Sequence, residues 1–352
     1  MFKRLLAATA LGAASSPAAL AEPPRVAADV APVHSLVAQV MQGVGTPSLL
    51  MPAGASPHAY ALRPSEARAL SEAELVVWIG EDLSPQLGRA VGTLAEGAVV
   101  LELLEAEETR TLPFRQTVLL GGKPVDGEHD HDAHGHDDHA HEDHGHEEQA
   151  HEDHGHDDHA HDEQAHDEQA HDDHAGAHDH AHDGTDPHAW LDPENAKAWL
   201  GLIADALADA DPANAEAYAA NADAGREAID AAVSDIEKTL APVRDRTFVV
   251  FHDAYQYFED RFDLNAAGAI ALADATDPGP ARLSALRRSI AERGVSCVLA
   301  EPQFDPGLVA AVASESELDT AVIDPLGVAL EPGPAFYPAL LRGMAASMAE
   351  CL

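Results

Sequence analysis

Glu74-Leu75-Val76-Val77-Trp78-Ile79-Gly80 is an uninterrupted apolar run closed by glycine. It is too short for an ordinary helix and lacks the alternation of a half-buried strand, so it reads as a strand covered on both faces, as in a parallel sheet. The neighbouring segments repeat the theme. Upstream, Arg25–Val33 (RVAADVAPV) reads as a strand, a helix opens at His34, and Ser48–Met51 (SLLM) reads as a short strand. A loop rich in Gly, Ser and Pro then carries His58, and Pro64-Ser65 suits the start of a helix reaching about Glu72. Downstream, 84–95 reads as helix and Ala98–Leu104 (AVVLELL) as another buried strand. Strands alternating with helices imply βαβ units and a parallel sheet.

The alternation returns later in the chain. Thr247–Phe251 (TFVVF) is a second buried-strand run, ending on His252-Asp253, and a helix (AYQYFEDRF) follows it. AAGAIAL, a helix over 282–293, VSCVLAE (295–301), TAVIDPLG (320–327) and a closing helix from about Tyr337 complete that half. Between the halves, Trp199, Leu200, Ile203 and Leu207 mark one helix. Asp211-Pro212 opens another that runs to about Leu240, with Ile229, Val233, Ile236 and Leu240 on one face. Two similar α/β halves joined by a long, stiff helix resemble a bilobed binding protein.

Between the last strand of the first half and the helices lies a tract, 126–186, made almost wholly of His, Asp, Glu, Ala, Gly and Gln. It holds 19 of the 23 histidines and 23 acidic residues, with no Lys or Arg. No apolar side chain larger than Ala occurs between Glu128 and Pro187, so burial cannot offset chain entropy and the tract is expected to be disordered. Near-decapeptide repeats (HEDHGHEEQA, HEDHGHDDHA) suggest growth by duplication. Imidazole and carboxylate suit borderline divalent metals, imidazole favouring Zn, Cu and Ni. The remainder of the chain is still acidic, which argues against nucleic acid or an anionic membrane as partner.

The first 21 residues, MFKRLLAATALGAASSPAALA, have the form of a secretory signal peptide: Lys3 and Arg4, an apolar run, then Ala19-Leu20-Ala21 as an Ala-x-Ala cleavage site. The apolar run is too short to span a membrane, and no later segment reaches the ~18 apolar residues required. The mature protein is expected to be exported, without membrane insertion. The only cysteines are Cys297 and Cys351; in an oxidising compartment such a pair is expected as a disulfide, tying the closing helix to a core strand.

Removing the tract leaves four histidines: His34, His58, His188 and His252. Open parallel sheets bind ligands beyond the carboxyl ends of their strands. His58 follows one strand, His252 ends another, Asp324 follows a third, and His188 sits in an Asp-Pro-His turn before a helix. Three imidazoles plus a carboxylate or water make a tetrahedral zinc set, and these four residues can meet between the halves. Against this, a lone His after a strand is more often a hydrogen-bonded loop residue, and Asp324 before Pro325 can serve a turn or cap. His34, opening a helix, is read as structural. An enzyme is the rival reading, because three His and an open position also describe a catalytic zinc. No HExxH occurs, and Glu301 is the only candidate base. A pure metal buffer acting through the tract is another.

The residues around these positions resemble a known family: the zinc-binding periplasmic proteins of ABC importers, the ZnuA type of the cluster A-I solute-binding proteins. The matching stretches are Pro57–Ser65, Glu74–Gly80, Asp186–Pro193, Val250–Phe258, Ala300–Phe304 and Ile323–Gly327. The resemblance implies two Rossmann-like lobes with parallel sheets, a rigid linking helix, a His-rich loop on the N-terminal lobe and one metal in the interlobe cleft. Laid onto this chain, the leader is 1–21, the N-terminal lobe 22–210, the linking helix 211–241 and the C-terminal lobe 242–352. His58, His188 and His252 match the family's imidazole ligands and Asp324 its carboxylate position. Manganese-type relatives carry Glu where His252 stands, so His favours zinc. Pro57 stands where some zinc-type relatives have a Glu, which leaves Asp324 or water as fourth ligand. The cysteine pair resembles the C-lobe disulfide of Gram-negative members. The implied role is zinc carriage to an inner-membrane ABC permease, with no catalysis, a periplasmic zinc chaperone as a further partner, and a monomeric state.

Overall fold

The computed structural model describes residues 22–115, 184–271, 280–304, 306–314 and 318–352. The leader and nearly all of the His-rich tract lie outside the described residues. Two four-stranded parallel sheets form the core of two lobes.

In lobe one the strands are β1 (Val26–Ala28), β2 (Ser48–Leu49), β3 (Leu75–Trp78) and β4 (Val99–Glu102), in the order β2-β1-β3-β4. β3 is the apolar run of 74–80; all four of its residues are buried, and it pairs on both sides. β4 departs from its reading as a buried strand. It is the outermost strand, and Val99 is 61% exposed. Helix α1 (Ala31–Val40) begins three residues before the expected start at His34, because Pro32 cannot donate to a ladder but fits a first helical turn. Helices α2 (Pro64–Ser71) and α3 (Pro85–Leu94) fall where the sequence places them.

Residues 184–186 form a short antiparallel pairing with the segment 112–114. Pro113 bridges Thr185, the Phe114 N–H donates to the Gly184 carbonyl at 3.1 Å, and the Asp186 N–H donates to the Leu112 carbonyl at 2.8 Å. Helix α4 (Pro193–Ala210) follows, started by Pro193 and by the Asp192 carboxylate accepting from the Glu194 N–H at 2.9 Å. Trp199, Leu200, Ile203 and Leu207 are fully buried along it. Helix α5 (Ala215–Leu240) has 26 residues, about 39 Å at 1.5 Å each. It packs on α1 and α4 and on the closing helix α9 (Phe336–Cys351). It is therefore more than a connector: its face of Ile229, Val233, Ile236 and Leu240 belongs to a single apolar core that takes in residues of both lobes.

Lobe two repeats lobe one. Strands β5 (Thr247–His252), β6 (Asn265–Ala271), β7 (Cys297–Ala300) and β8 (Asp319–Val322) take the order β6-β5-β7-β8. Helices α6 (Gln256–Phe262), α7 (Pro280–Arg293) and α8 (Pro306–Ser314) connect them. α8 is absent from the sequence reading; its run PGLVAAVAS has no polar face to set a helical period. Edge strand β8 leaves Val322 58% exposed. Cys297 on β7 and Cys351 at the end of α9 form the expected disulfide, with Cα atoms 5.6 Å apart. No helix among the described residues is long and apolar enough to cross a membrane.

Candidate metal centre

Three of the four histidines outside the tract converge. His58, His188 and His252 each present a ring nitrogen, and the three nitrogens lie within 4.8 Å of one another. Ring centroids are 5.4 Å apart for His58–His188, 5.3 Å for His188–His252 and 6.5 Å for His58–His252. Two of the rings come from lobe one and one from lobe two.

Each imidazole is placed by a different local device. His58 sits in the loop between β2 and α2, which is held down by the buried Ser84 hydroxyl donating to the Pro57 carbonyl at 3.1 Å. His188 lies in the Asp-Pro-His turn. The Asp186 carboxylate accepts from both its backbone N–H (3.0 Å) and its ring Nδ1 (2.7 Å). His252 ends β5, and its Nδ1 donates to Glu301 at 2.6 Å from just beyond the adjacent strand β7. A carboxylate at Nδ1 puts the proton there and makes Nε2 the ring nitrogen with a lone pair for ligation. The Nε2 of His188 is buried with no hydrogen-bond partner among the described residues. A buried acceptor aimed at two other imidazoles suits a cation. Trp190 lies 5.3 Å from His188, and Phe304, stacked on Phe251, lies 5.4 Å from His252. This apolar wall strengthens electrostatic interactions inside it.

Asp324 is placed differently. It follows β8, but it is not part of the three-nitrogen cluster. Its Oδ1 accepts from the Leu326 N–H (3.1 Å), the Gly327 N–H (2.9 Å) and the Gln303 amide (3.2 Å), and its Oδ2 accepts from the Val328 N–H. It organises the 325–328 turn, where Gly327 has φ +67° and a Cβ would stand 2.5 Å from Phe336. The Pro325 carbonyl in that turn accepts from the indole N–H of Trp190, beside His188. His34 stands apart, buried on α1 with Nε2 3.2 Å from the Pro47 carbonyl. Burial lowers its pKa, and the Pro47 carbonyl only partly offsets that.

Two residues of this centre carry roles the sequence reading did not assign. Asp186 reads as the acidic end of the tract, and Glu301 as a candidate base. Both are the carboxylates that hold an imidazole. The signal for Asp186 was its place two residues before His188; for Glu301 it was its place at the end of the strand beside β5.

Two α/β lobes of identical strand order, packed on one long helix with imidazoles meeting between them, define a bilobed binding protein with a metal-type site. The family described as "ZnuA: Zinc-uptake complex component A periplasmic" matches residues 26–351, and the chain belongs to it. A relative from Paracoccus denitrificans (strain Pd 1222), named "High-affinity zinc uptake system protein ZnuA", is 46% identical over 349 residues, covering 99% of this chain and 97% of its own. A protein of the same name from Brucella abortus (strain 2308) is 43% identical, covering 93% and 91%. Among solved structures, "Crystal structure of ZnuA" superposes with TM-score 0.67 at 20% identity, covering 94% of this chain and 99% of that one. "Crystal structure of 138-173 ZnuA deletion mutant plus zinc bound" gives 0.66 at 20%, covering 94% and 98%. At that identity these structures speak to the fold.

Proposed function

We propose that this protein captures Zn²⁺ in the periplasm and delivers it to an inner-membrane ABC permease, with His58, His188 and His252 as the zinc ligands. The observation that carries this reading is the set of three ring nitrogens within 4.8 Å, drawn from both lobes. Neutral imidazole nitrogens at about 2.0–2.1 Å are ordinary zinc ligands. Asp186 and Glu301 fix the ring orientations and tautomers of the ligating imidazoles. Water takes the fourth position in preference to Asp324, whose oxygens already serve the 325–328 turn. The family membership and the names of the 43–46% identical relatives support zinc over other divalent ions.

The rest of the chain follows from this reading. Residues 1–21 are the export signal, 22–210 the N-terminal lobe, 211–241 the linking helix and 242–352 the C-terminal lobe. The tract, 126–186, collects zinc weakly or senses its abundance, in addition to the tight site. The protein acts as a monomer and can receive zinc from a periplasmic chaperone. It carries zinc and does not use it: Glu301, the base a hydrolase would need, is engaged by His252.

Deleting Glu128 to Asp183 tests the assignment. Competition against a chromogenic chelator should show one tight zinc equivalent surviving the deletion, and loss of all tight binding would refute the cleft site.

A further inference from the structure

The described segments on either side of residues 116–183 do more than pair with each other. Together, 110–115 and 184–186 form an arm that reaches from lobe one onto α6 of lobe two. The Tyr257 hydroxyl sits between the arm's two strands, donating to the Asp186 carbonyl at 2.8 Å and accepting from the Leu112 N–H at 2.9 Å. Arg110 pairs with Asp192 of its own lobe at 3.3 Å and with Asp260 of α6 at 2.5 Å. At the end of the arm, Arg115 engages two lobe-two carboxylates at once. Its Nε and Nη2 donate to the two oxygens of Asp253, the Nε contact being 3.1 Å, and its Nη1 and Nη2 donate to the two oxygens of Glu259 at 2.9 and 3.0 Å.

Among the described residues, this ion pair differs from the exposed Arg–carboxylate pairs. Side-chain exposures are 19% for Arg115, 6% for Asp253 and 7% for Glu259, whereas the Arg68–Glu72 pair stands at 76% and 51%. Exposed pairs of the second kind contribute little. A planar guanidinium forked onto two buried carboxylates instead imposes one geometry. Its position matters as much as its burial. Asp253 directly follows His252, and Asp186, tied to Tyr257 through its carbonyl, holds the ring of His188 through its carboxylate. One arm therefore fastens the support of a lobe-one imidazole to the neighbour of the lobe-two imidazole.

We propose that Arg115 is a positioning residue for metal retention: it latches lobe one to the Asp253–Glu259 pair and so sets how fast zinc leaves the cleft. The proposal rests on the zinc-capture reading. Zinc held by ligands from both lobes departs only when His252 separates from His58 and His188. A contact that resists this separation slows release without touching the metal. Removing the guanidinium also strands two buried carboxylates, which hydrate on opening and favour the open state further.

The test is zinc release from the full-length protein into excess EDTA by stopped flow, where the slow phase reports the cleft. Arg115→Met should speed that phase about ten-fold or more, because removing one partner of a buried ion pair is strongly destabilising. Arg115→Lys, which offers a point charge in place of the fork, should fall between the two. The visible spectrum of the Co²⁺-loaded protein should be the same for all three, because no ligand has changed. In Arg115→Met/Glu259→Gln the stranded charge is reduced, and release should stay fast. A slow phase in Arg115→Met equal to wild type, whatever the change in melting temperature, would overturn the latch and leave the capture reading standing. So would return to the wild-type rate in the double variant, which would assign the effect to stranded charge. Absence of a slow phase in the wild type itself would remove both readings.

Discussion

At the carboxyl end of its central strand, lobe one carries Asp29 and lobe two carries His252. Both are buried, and both are held from the end of the neighbouring strand. Their holders differ. Asp29 accepts from the backbone N–H groups of Val30 (2.7 Å) and Ile79 (2.8 Å), and its burial pushes its pKa up to about 7. It closes the top of its own sheet. His252 is gripped through Nδ1 by the side chain of Glu301, with its ring among those of His58 and His188. β5 is six residues long where β1 is three, so lobe two carries its strand out to the rim and lobe one stops short. Lobe one supplies its imidazoles by other means, from a proline-bounded loop and from the Asp-Pro-His turn beyond the tract. The same topology thus makes one strand end architectural and the other chemical, and the difference lies in the neighbouring side chain.

The sharpest way to break this contrast is to remove an imidazole. A four-ligand structural zinc site binds by ~10–16 kcal/mol, so one ligand accounts for roughly 3–4 kcal/mol. His188→Ala or His252→Ala should weaken zinc about 10²–10³-fold in chelator competition. His34→Ala should leave affinity at the wild-type value, since that ring lies outside the cluster. Removing a holder is the next step down. Glu301→Gln and Asp186→Asn should each cost about 10–100-fold in affinity, with zinc stoichiometry at the tight site unchanged. Wild-type affinity in both would mean that the rings are oriented by packing alone.

The smallest effect tests lobe one. The Asp29 pKa rises from about 3.9 in an unfolded chain to about 7 when folded, so the folded state holds the proton more tightly. Its contribution to stability is full below pH ~4 and is lost as pH rises through about 7. Urea unfolding of the metal-free protein should therefore show Asp29→Asn gaining on wild type between pH 4 and 8, with zinc affinity unaltered. A difference that is flat with pH would contradict the burial cost assigned to Asp29.

Much of the fold is readable in the chain because its signals are local. The apolar runs at 75–78 and 247–252 and the proline-started helices at 64 and 193 need no partner to be recognised. Three of the residues proposed as ligands could be named because each ends or follows a strand, or sits in a turn before a helix. What was hidden depends on contacts distant in sequence. Nothing local marks β4 and β8 as edges, and α8 has no polar face. The pairing of His252 with Glu301 spans 49 residues, and that of Arg115 with Asp253 spans 138. Composition concealed Asp186, a structural carboxylate at the end of a long acidic run.

The central claim is that tight zinc binding belongs to the cleft and that the tract is accessory to it. Diffraction from zinc-loaded crystals at the zinc absorption edge tests it most directly. The expected result is one strong anomalous peak about 2.0–2.1 Å from Nε2 of His188 and of His252 and from a ring nitrogen of His58, with Asp324 still turned to the 326–328 amides. Anomalous density confined to histidines between Glu128 and Asp183, with none among these three rings, would contradict it.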